Sequence, residues 1–562
     1  MNRENKLLVM TAVLSFLAGF IFCHVDVYKL TAVRFLIIAA GAVAYNLWLY
    51  FRKADREHRR LTVLCSIMGL LTLALMQGTS LVRMQEKITK HTLAWGTAAL
   101  FLIFAVLCAS CLLVEKGITE NTVTLIIFAG FLFKLYYAVM TQAHLLQNDI
   151  EFLADWSHGH LGYVYRIFST GRLPTENPIG LYQFYQPPLH YVVSAIFLRI
   201  YALLGVEAGQ WDEVLQMLPV FYTTAILIFL NKIGIQLHCL ALGRCITLGL
   251  AAFLPYSMFL GSALNNDPLV TLFMVMCIYF TIKWYQDPKL KTILAMAVCI
   301  GCAMMTKLSG AMIAPAMAVV MLYKVWQNRK EWLKWLKQFI CFGLVAFPLG
   351  LWYYMLRFVQ YRVPFDYVPL IPVTDSQFIG MYTKWTRFKD YGHALERLFL
   401  RWGPAPDVDY NIPIALVKYS VFNESNYYVF NQMTRLFGTV VFWATAVMLL
   451  LFAAAFAGWL FMRRQKMIYK IFLGTGALAI MYSYVKFCFA YPYVCTMNVR
   501  YVMTAVYIGM LVLGMAVSGI QEKLTEKNVV LSRIFTGLTV GLTAVYMICS
   551  TLLNLHLEII LH

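Results

Sequence analysis

The run Thr122–Met140, TVTLIIFAGFLFKLYYAVM, decides the fold. It has the length that an α-helix needs to cross a hydrocarbon core, about 20 residues. Inside lipid such a segment must satisfy its own backbone polar groups, which a helix does. Leu8 to Phe22, Val440 to Phe461 and Phe535 to Leu553 read the same way, and about fifteen such segments can be traced along the chain. Composition agrees. Of 562 residues, 61% are hydrophobic and 13% charged, against about 25% charged in a soluble domain, and the mean hydropathy is +0.68. So few charges cannot cover a water-facing surface. The expected fold is therefore an all-α polytopic membrane protein. No cleavable signal is expected, because the first apolar run lacks a small-residue cleavage site and another span follows it.

The formal charge of +19 does not point to nucleic acid. The basic residues gather in short connectors, Arg52 to Arg60, Lys283 to Lys291, Lys324 to Lys337 and Arg463 to Lys470, as cytoplasmic loops do. The thirteen cysteines lie mainly within apolar runs, as Cys108, Cys111, Cys299 and Cys302 do, and read as small buried residues rather than a disulfide or zinc framework.

Placing the basic connectors in the cytoplasm carries the run Thr122–Met140 outward, so the polar stretch from Gln142 to Tyr191 lies outside. Parity then keeps Leu189 to Leu204 from crossing. It reads as an amphipathic helix at the interface. Asn265-Asn266-Asp267, Lys307, the long segment Arg357 to Met433 and Ala490 to Arg500 also fall outside. The two long outer segments hold Trp, Tyr, Pro, His and acidic residues rather than a linker composition, and are expected to be ordered and to carry function.

The first outer segment contains Asp149 and Glu151, then Asp155 to Tyr163, then Gly171-Arg172-Leu173-Pro174 and Tyr185-Gln186-Pro187-Pro188-Leu189-His190. A carboxylate just beyond a span is partly desolvated and can act as a general base; the ordinary reading is a solvated loop acid. Asp267 precedes Pro268 at the start of a span, where the ordinary reading is a helix cap. Its side of the membrane pairs it with Asp149. Lys307 sits between two apolar runs, where a cation snorkels or meets an anion. Arg500, followed by Tyr501, can fork onto a phosphate. His144, His158 and His160 could ligate a divalent ion together with a carboxylate, although loop histidines are ordinarily unliganded.

In this order the features resemble the GT-C glycosyltransferases, specifically the branch of dolichyl-phosphate-mannose protein mannosyltransferases and the lipid A aminoarabinose transferase. The likeness rests on the early acidic residue, Gly171 to Pro174, Tyr185 to Leu189, Asn266-Asp267-Pro268-Leu269 and Thr306-Lys307, and is densest over residues 120–360. It implies a GT-C-type bundle of about fifteen transmembrane helices with ordered extracytoplasmic loops and interfacial helices. It further implies an inverting transferase that takes a sugar from a polyprenyl-phosphate donor among membrane lipids and passes it to an acceptor not identified by the sequence, with no nucleic acid partner. By that analogy Asp149 is the base, Asp155 competes for the role, and Asp267 is the second acid. Lys307 and Arg500, with Gln186 and His190, face the donor phosphate. Tyr185, His160 and Tyr501 contact substrate, and a divalent metal ion is a candidate cofactor without assigned ligands. Relatives often carry an acidic pair, or Glu-Lys before the two prolines. Here Ile150 follows Asp149 and Gln186 precedes Pro187, so one phosphate-facing charge is missing and His190 or Arg199 is left to compensate.

The expected organisation is a four-helix amino-terminal extension (1–118), a catalytic core (119–360) with its first outer loop at 142–216, an outer segment (361–434) and carboxy-terminal spans (435–562). A transporter or lipid flippase would show internal repeats and midplane charges; no repeat is evident and the notable charges cluster at one face. A surface-polysaccharide polymerase or ligase shares lipid-linked substrates and large outer loops, and is the nearest enzymatic rival.

Overall fold

The computed structural model describes residues 3–20, 32–51, 55–84, 117–141, 159–396, 408–423, 432–462 and 465–561, with isolated positions between and beside them. The ordered elements in those residues are helices, apart from one isolated bridge between Phe378 and Tyr493. In chain order the principal ones are α1 (Arg3–Ala18), α2 (Ala32–Phe51), α3 (Arg56–Met84), α4 (Glu120–Met140), α5 (Gly159–Thr170) and α6 (Leu189–Leu203). There follow α7 (Met217–Gln236), α8 (Ala241–Phe253), α9 (Asp267–Gln286), α10 (Leu290–Thr306), α11 (Ala314–Gln327) and α12 (Trp332–Tyr361). The chain then forms α13 (Ile412–Phe422), α14 (Gln432–Phe461), α15 (Met467–Ala490), α16 (Met503–Lys527) and α17 (Val529–Leu561).

Ten helices among the described residues are long and apolar enough to cross a membrane, which makes the chain a multi-pass integral membrane protein. Ten is fewer than the number traced from sequence. Apolarity alone does not separate a span from a short buried helix, and four apolar helices, α6, α8, α10 and α13, have 11–17 residues and fall below span length. α6 packs on α5, burying Tyr191, Ser194, Ala195 and Leu198 while Ile196, Ile200 and Leu203 stay exposed. A short helix with one packed face and one oily open face is what the parity argument required of this stretch.

α4 begins where the sequence supplies a start signal. Thr119 caps it, accepting from Asn121 N, while the Thr122 hydroxyl accepts from Thr119 N, so two orphan donors are satisfied reciprocally. At the same end the Arg244 guanidinium of α8 grips the Glu120 carboxylate with both arms and reaches Asn231 Oδ1 of α7 at 3.1 Å. Glu120 and Arg244 share one end of the bundle.

Between helices in lipid there is little hydrophobic drive, so close backbone approach and interhelical hydrogen bonds hold them. α8 and α16 cross at Gly243 and Gly514, where a Cβ on either residue would overlap the other's backbone carbonyl. Thr247 Oγ1 donates across the crossing to Met510 O at 3.0 Å. Gly514→Leu should force the two helices apart and lower stability by about 1–3 kcal/mol. A thermal melt of the detergent-solubilised protein tests this, and an unshifted midpoint would show that the crossing is not tight.

Candidate active site

The site begins at the amino-terminal end of α9. Asp267 is the first residue of that helix, and its backbone N–H donates to Asn265 Oδ1 at 3.0 Å. Its carboxylate does not cap the helix. Oδ1 accepts from Lys307 Nζ at 2.5 Å, and Oδ2 lies 3.8 Å from Arg500 Nε. The side chains of Asp267 and Arg500 are almost fully buried and that of Lys307 is largely so. One carboxylate thus meets two cations from two other parts of the chain.

Each cation is presented by a break between helices. α10 stops at Thr306; Lys307 is extended (φ −163°, ψ 138°), and the 3₁₀ turn Leu308–Ile313 leads into α11. That turn lies so close on α10 that a Cβ on Gly310 would stand 2.6 Å from the Ala303 carbonyl carbon, so glycine is required there. Arg500 sits in the 3₁₀ turn Val499–Val502 before α16, its N–H capped by Asn498 Oδ1 at 2.8 Å. The Tyr501 ring lies under both, 5.0 Å from Lys307 Nζ and 5.1 Å from the Arg500 guanidinium carbon. Cations over a ring face keep part of their solvation when buried.

These groups stand at the head of a cavity of about 410 Å³. From the head one stripe of α9 runs down its wall through Asp267, Val270, Thr271 and Met274, the i, i+3, i+4, i+7 spacing of one helix face. Met312, Ile480 and Met503 make the opposing wall apolar. The charged lining is Lys307, Arg357, Lys486 and Arg500 against Asp267 and Asp366, an excess of cations.

The segment 171–188 roofs the cavity and is fastened by Arg357 of α12. Its guanidinium donates to Pro174 O at 2.7 Å, Glu176 O at 3.0 Å and Tyr353 Oη at 3.1 Å. Tyr353 in turn donates to Phe184 O at 3.1 Å. Gln183 adopts φ +68°, a left-handed conformation that costs a non-glycine residue about 1–3 kcal/mol. It closes a turn in which Gln186 N donates to Gln183 O at 3.0 Å. That turn aims Gln186 at the site: its Oε1 accepts from Asn266 Nδ2 at 3.4 Å. Glu176 sits below the usual carboxylate range, held there by backbone N–H donors and the Arg166 guanidinium.

The residues singled out from sequence fall as follows. Asp267, Lys307, Arg500, Tyr501, Gln186, Tyr185 and His160 all line the one cavity. His160 contacts Tyr191 Oη through Nδ1 at 3.0 Å. His190 lies behind the lining, and burial pushes its imidazole down to about 3. It is therefore neutral and supplies no charge in place of the missing lysine. Arg199 turns away, donating to Phe168 O at 2.8 Å. Asp149 and Asp155, with His144 and His158, lie outside the described residues. Among the described residues no group of three or more His, Cys, Asp or Glu side chains could hold a metal ion. Arg357, Tyr353, Asp366 and Lys486 were not expected. Arg357 and Lys486 end hydrophobic runs that read as spans, where a terminal cation ordinarily snorkels.

The model of the dolichyl-phosphate-mannose-protein mannosyltransferase family matches residues 187–354. That stretch contains Asp267 and Lys307 and ends just before Arg357. No curated protein matches the chain. Among solved structures, one similar chain is that of ArnT from Cupriavidus metallidurans bound to undecaprenyl phosphate. It is 14% identical with a TM-score of 0.41, covering 78% of this chain and 77% of that one.

Removing the Asp267 charge would leave two buried cations facing each other, and losing one partner of a buried pair costs about 3–5 kcal/mol. Asp267→Asn should lower the thermal midpoint, and millimolar inorganic phosphate should restore more of it in the variant than in the parent. An undiminished midpoint would mean that the three charges do not depend on one another.

Proposed function

We propose that this chain is a glycosyltransferase that moves a sugar from a polyprenyl-phosphate donor to an acceptor at the extracytoplasmic face of a membrane, with inversion. The observation that carries this reading is the Asp267–Lys307–Arg500 cluster at the polar head of a cavity whose lower wall is apolar. A polyprenyl-phosphate sugar has the matching anatomy of an anionic phosphate between a polar sugar and a long apolar tail. The family matched by residues 187–354 is named for a donor of this kind.

The chemistry follows from charge. In the transfer the acceptor's oxygen or nitrogen forms a bond to the anomeric carbon as the bond from that carbon to the phosphate oxygen breaks. The acceptor proton goes to a carboxylate base, and polyprenyl phosphate leaves with the electron pair. Negative charge therefore builds on the phosphate, where fixed cations stabilise it most. Lys307 and Arg500 are those cations. Asp267 directs both its oxygens at them, so it acts as a positioning residue that holds two like charges at one phosphate. The base is Asp149, with Asp155 as its competitor, on the segment leading to the roof. Tyr185 and His160 border the space left for the sugar and the acceptor. The stripe from Val270 to Met274 takes the first isoprene units.

Purified protein in proteoliposomes, given a radiolabelled polyprenyl-phosphate sugar and a membrane acceptor fraction, tests the reading. Lys307→Met and Arg500→Met should each lower turnover by about 10²–10³, the loss typical of one oxyanion-stabilising donor. Asp149→Asn should abolish transfer while insertion stays normal; loss confined to Asp155→Asn moves the base to Asp155. Movement of a lipid or solute across the bilayer with no sugar transferred would overturn the enzyme in favour of a transporter.

A further inference from the structure

A second cavity, of about 400 Å³, opens at the other end of the three helical segments that build the first. α9 contributes Asp267 to one cavity and Tyr285 and Gln286 to the other. The segment Leu308–Gln327 contributes Ser309 to one and Lys324 to the other, and α15 runs from Met467 at the second to Ala490 at the first. A 20-residue helix rises about 30 Å, the thickness of a hydrocarbon core. The two cavities therefore lie at opposite membrane surfaces.

The second cavity is basic. Lys324 Nζ and Lys466 Nζ both approach the Tyr285 ring, at 4.9 and 5.7 Å from its centroid, so two ammonium groups gather around one aromatic ring. Lys324 also donates to Tyr285 O at 3.0 Å. Neither lysine is ion-paired to a carboxylate among the described residues. The acids nearest in sequence are already taken: Glu331 pairs with Lys334 and Asp287 with Lys289, each at 2.7 Å. Glu331 also acts on Lys324 from outside the cavity lining but is shared with Lys334, so the two ammonium groups leave a net positive charge that suits an anion. Beside them Leu322, Trp326 and Met467 are exposed and form an apolar rim, and Trp326 stacks on Tyr323 of the cavity wall.

We propose that this cavity binds an anionic phospholipid, its headgroup phosphate between Lys324 and Lys466 and an acyl chain along Leu322 and Trp326. A basic pocket between transmembrane helices with an oily flank is suited to such a headgroup. A soluble anion would use the lysines and leave the flank unused. The site is separate from the transfer cavity and does not depend on which sugar or acceptor that cavity serves.

Native mass spectrometry of the full chain in detergent, with phosphatidylglycerol and phosphatidylcholine supplied in equal amounts, tests the proposal. The parent should retain phosphatidylglycerol preferentially. Lys324→Gln with Lys466→Gln should reduce that preference by about 25-fold, each lysine near a lipid surface contributing roughly a factor of five. Lys324→Arg with Lys466→Arg should keep it, and Lys337→Gln, an exposed lysine at the same end, should leave it unchanged. A thermal melt checks that the glutamine pair is folded; if it is not, the parent's lipid preference and the arginine pair decide. Equal retention of the two lipids by the parent, or undiminished preference in the folded glutamine pair, overturns the site. Displacement of phosphatidylglycerol by inorganic phosphate at equal concentration would assign the lysines to a free anion and also overturn it.

Discussion

The arrangement of the first cavity's polar end depends on one carboxylate. Lys307 and Arg500 come from turns nearly 200 residues apart in sequence, and two cations do not share a buried pocket unaided. Asp267 brings them together from the first residue of α9, a position where backbone N–H groups already favour negative charge. The turn after α10, the turn before α16 and the start of α9 thus meet at one side chain, with Asn266 bonding Thr306 O at 3.0 Å and the Tyr501 ring under both cations as further ties. The apolar stripe that descends from Asp267 is fixed with them, because it lies on the same helix.

The roof is fastened differently. Arg357 ends a long helix and spends its donors on two backbone carbonyls and a tyrosine hydroxyl rather than on an acid. A carbonyl accepts the hydrogen bond without cancelling the charge, so the guanidinium holds the segment 171–188 and still adds to the positive potential of the cavity. The left-handed turn at Gln183 is sustained by the same fastening, since Tyr353 anchors the carbonyl of the very next residue.

Sequence made parts of this legible for physical reasons. Asp267 before Pro268 and Lys307 between apolar runs are anomalies in an oily chain, and an anomaly at a helix end is readable without coordinates. Arg357 and Lys486 carry the same charge but end hydrophobic runs, where a cation is ordinary, so only the packed structure separates them from anchors. Gln183 could not be read at all: glutamine gives no sign of a left-handed turn, whereas a glycine would have. Among the described residues α8 and α10 are as apolar as the candidate spans and differ from them in length, a distinction that apolarity alone does not draw.

The cavity head has an uneven character that bears on discrimination. A cluster of fixed cations in a confined space is indifferent to what is attached to the phosphate it holds, so the head sets how strongly anions are drawn in but carries little information about which one. Discrimination therefore falls to the rest of the lining: the polar side chains of Tyr185 and His160, and the apolar surface of Val270, Met274, Met312 and Ile480.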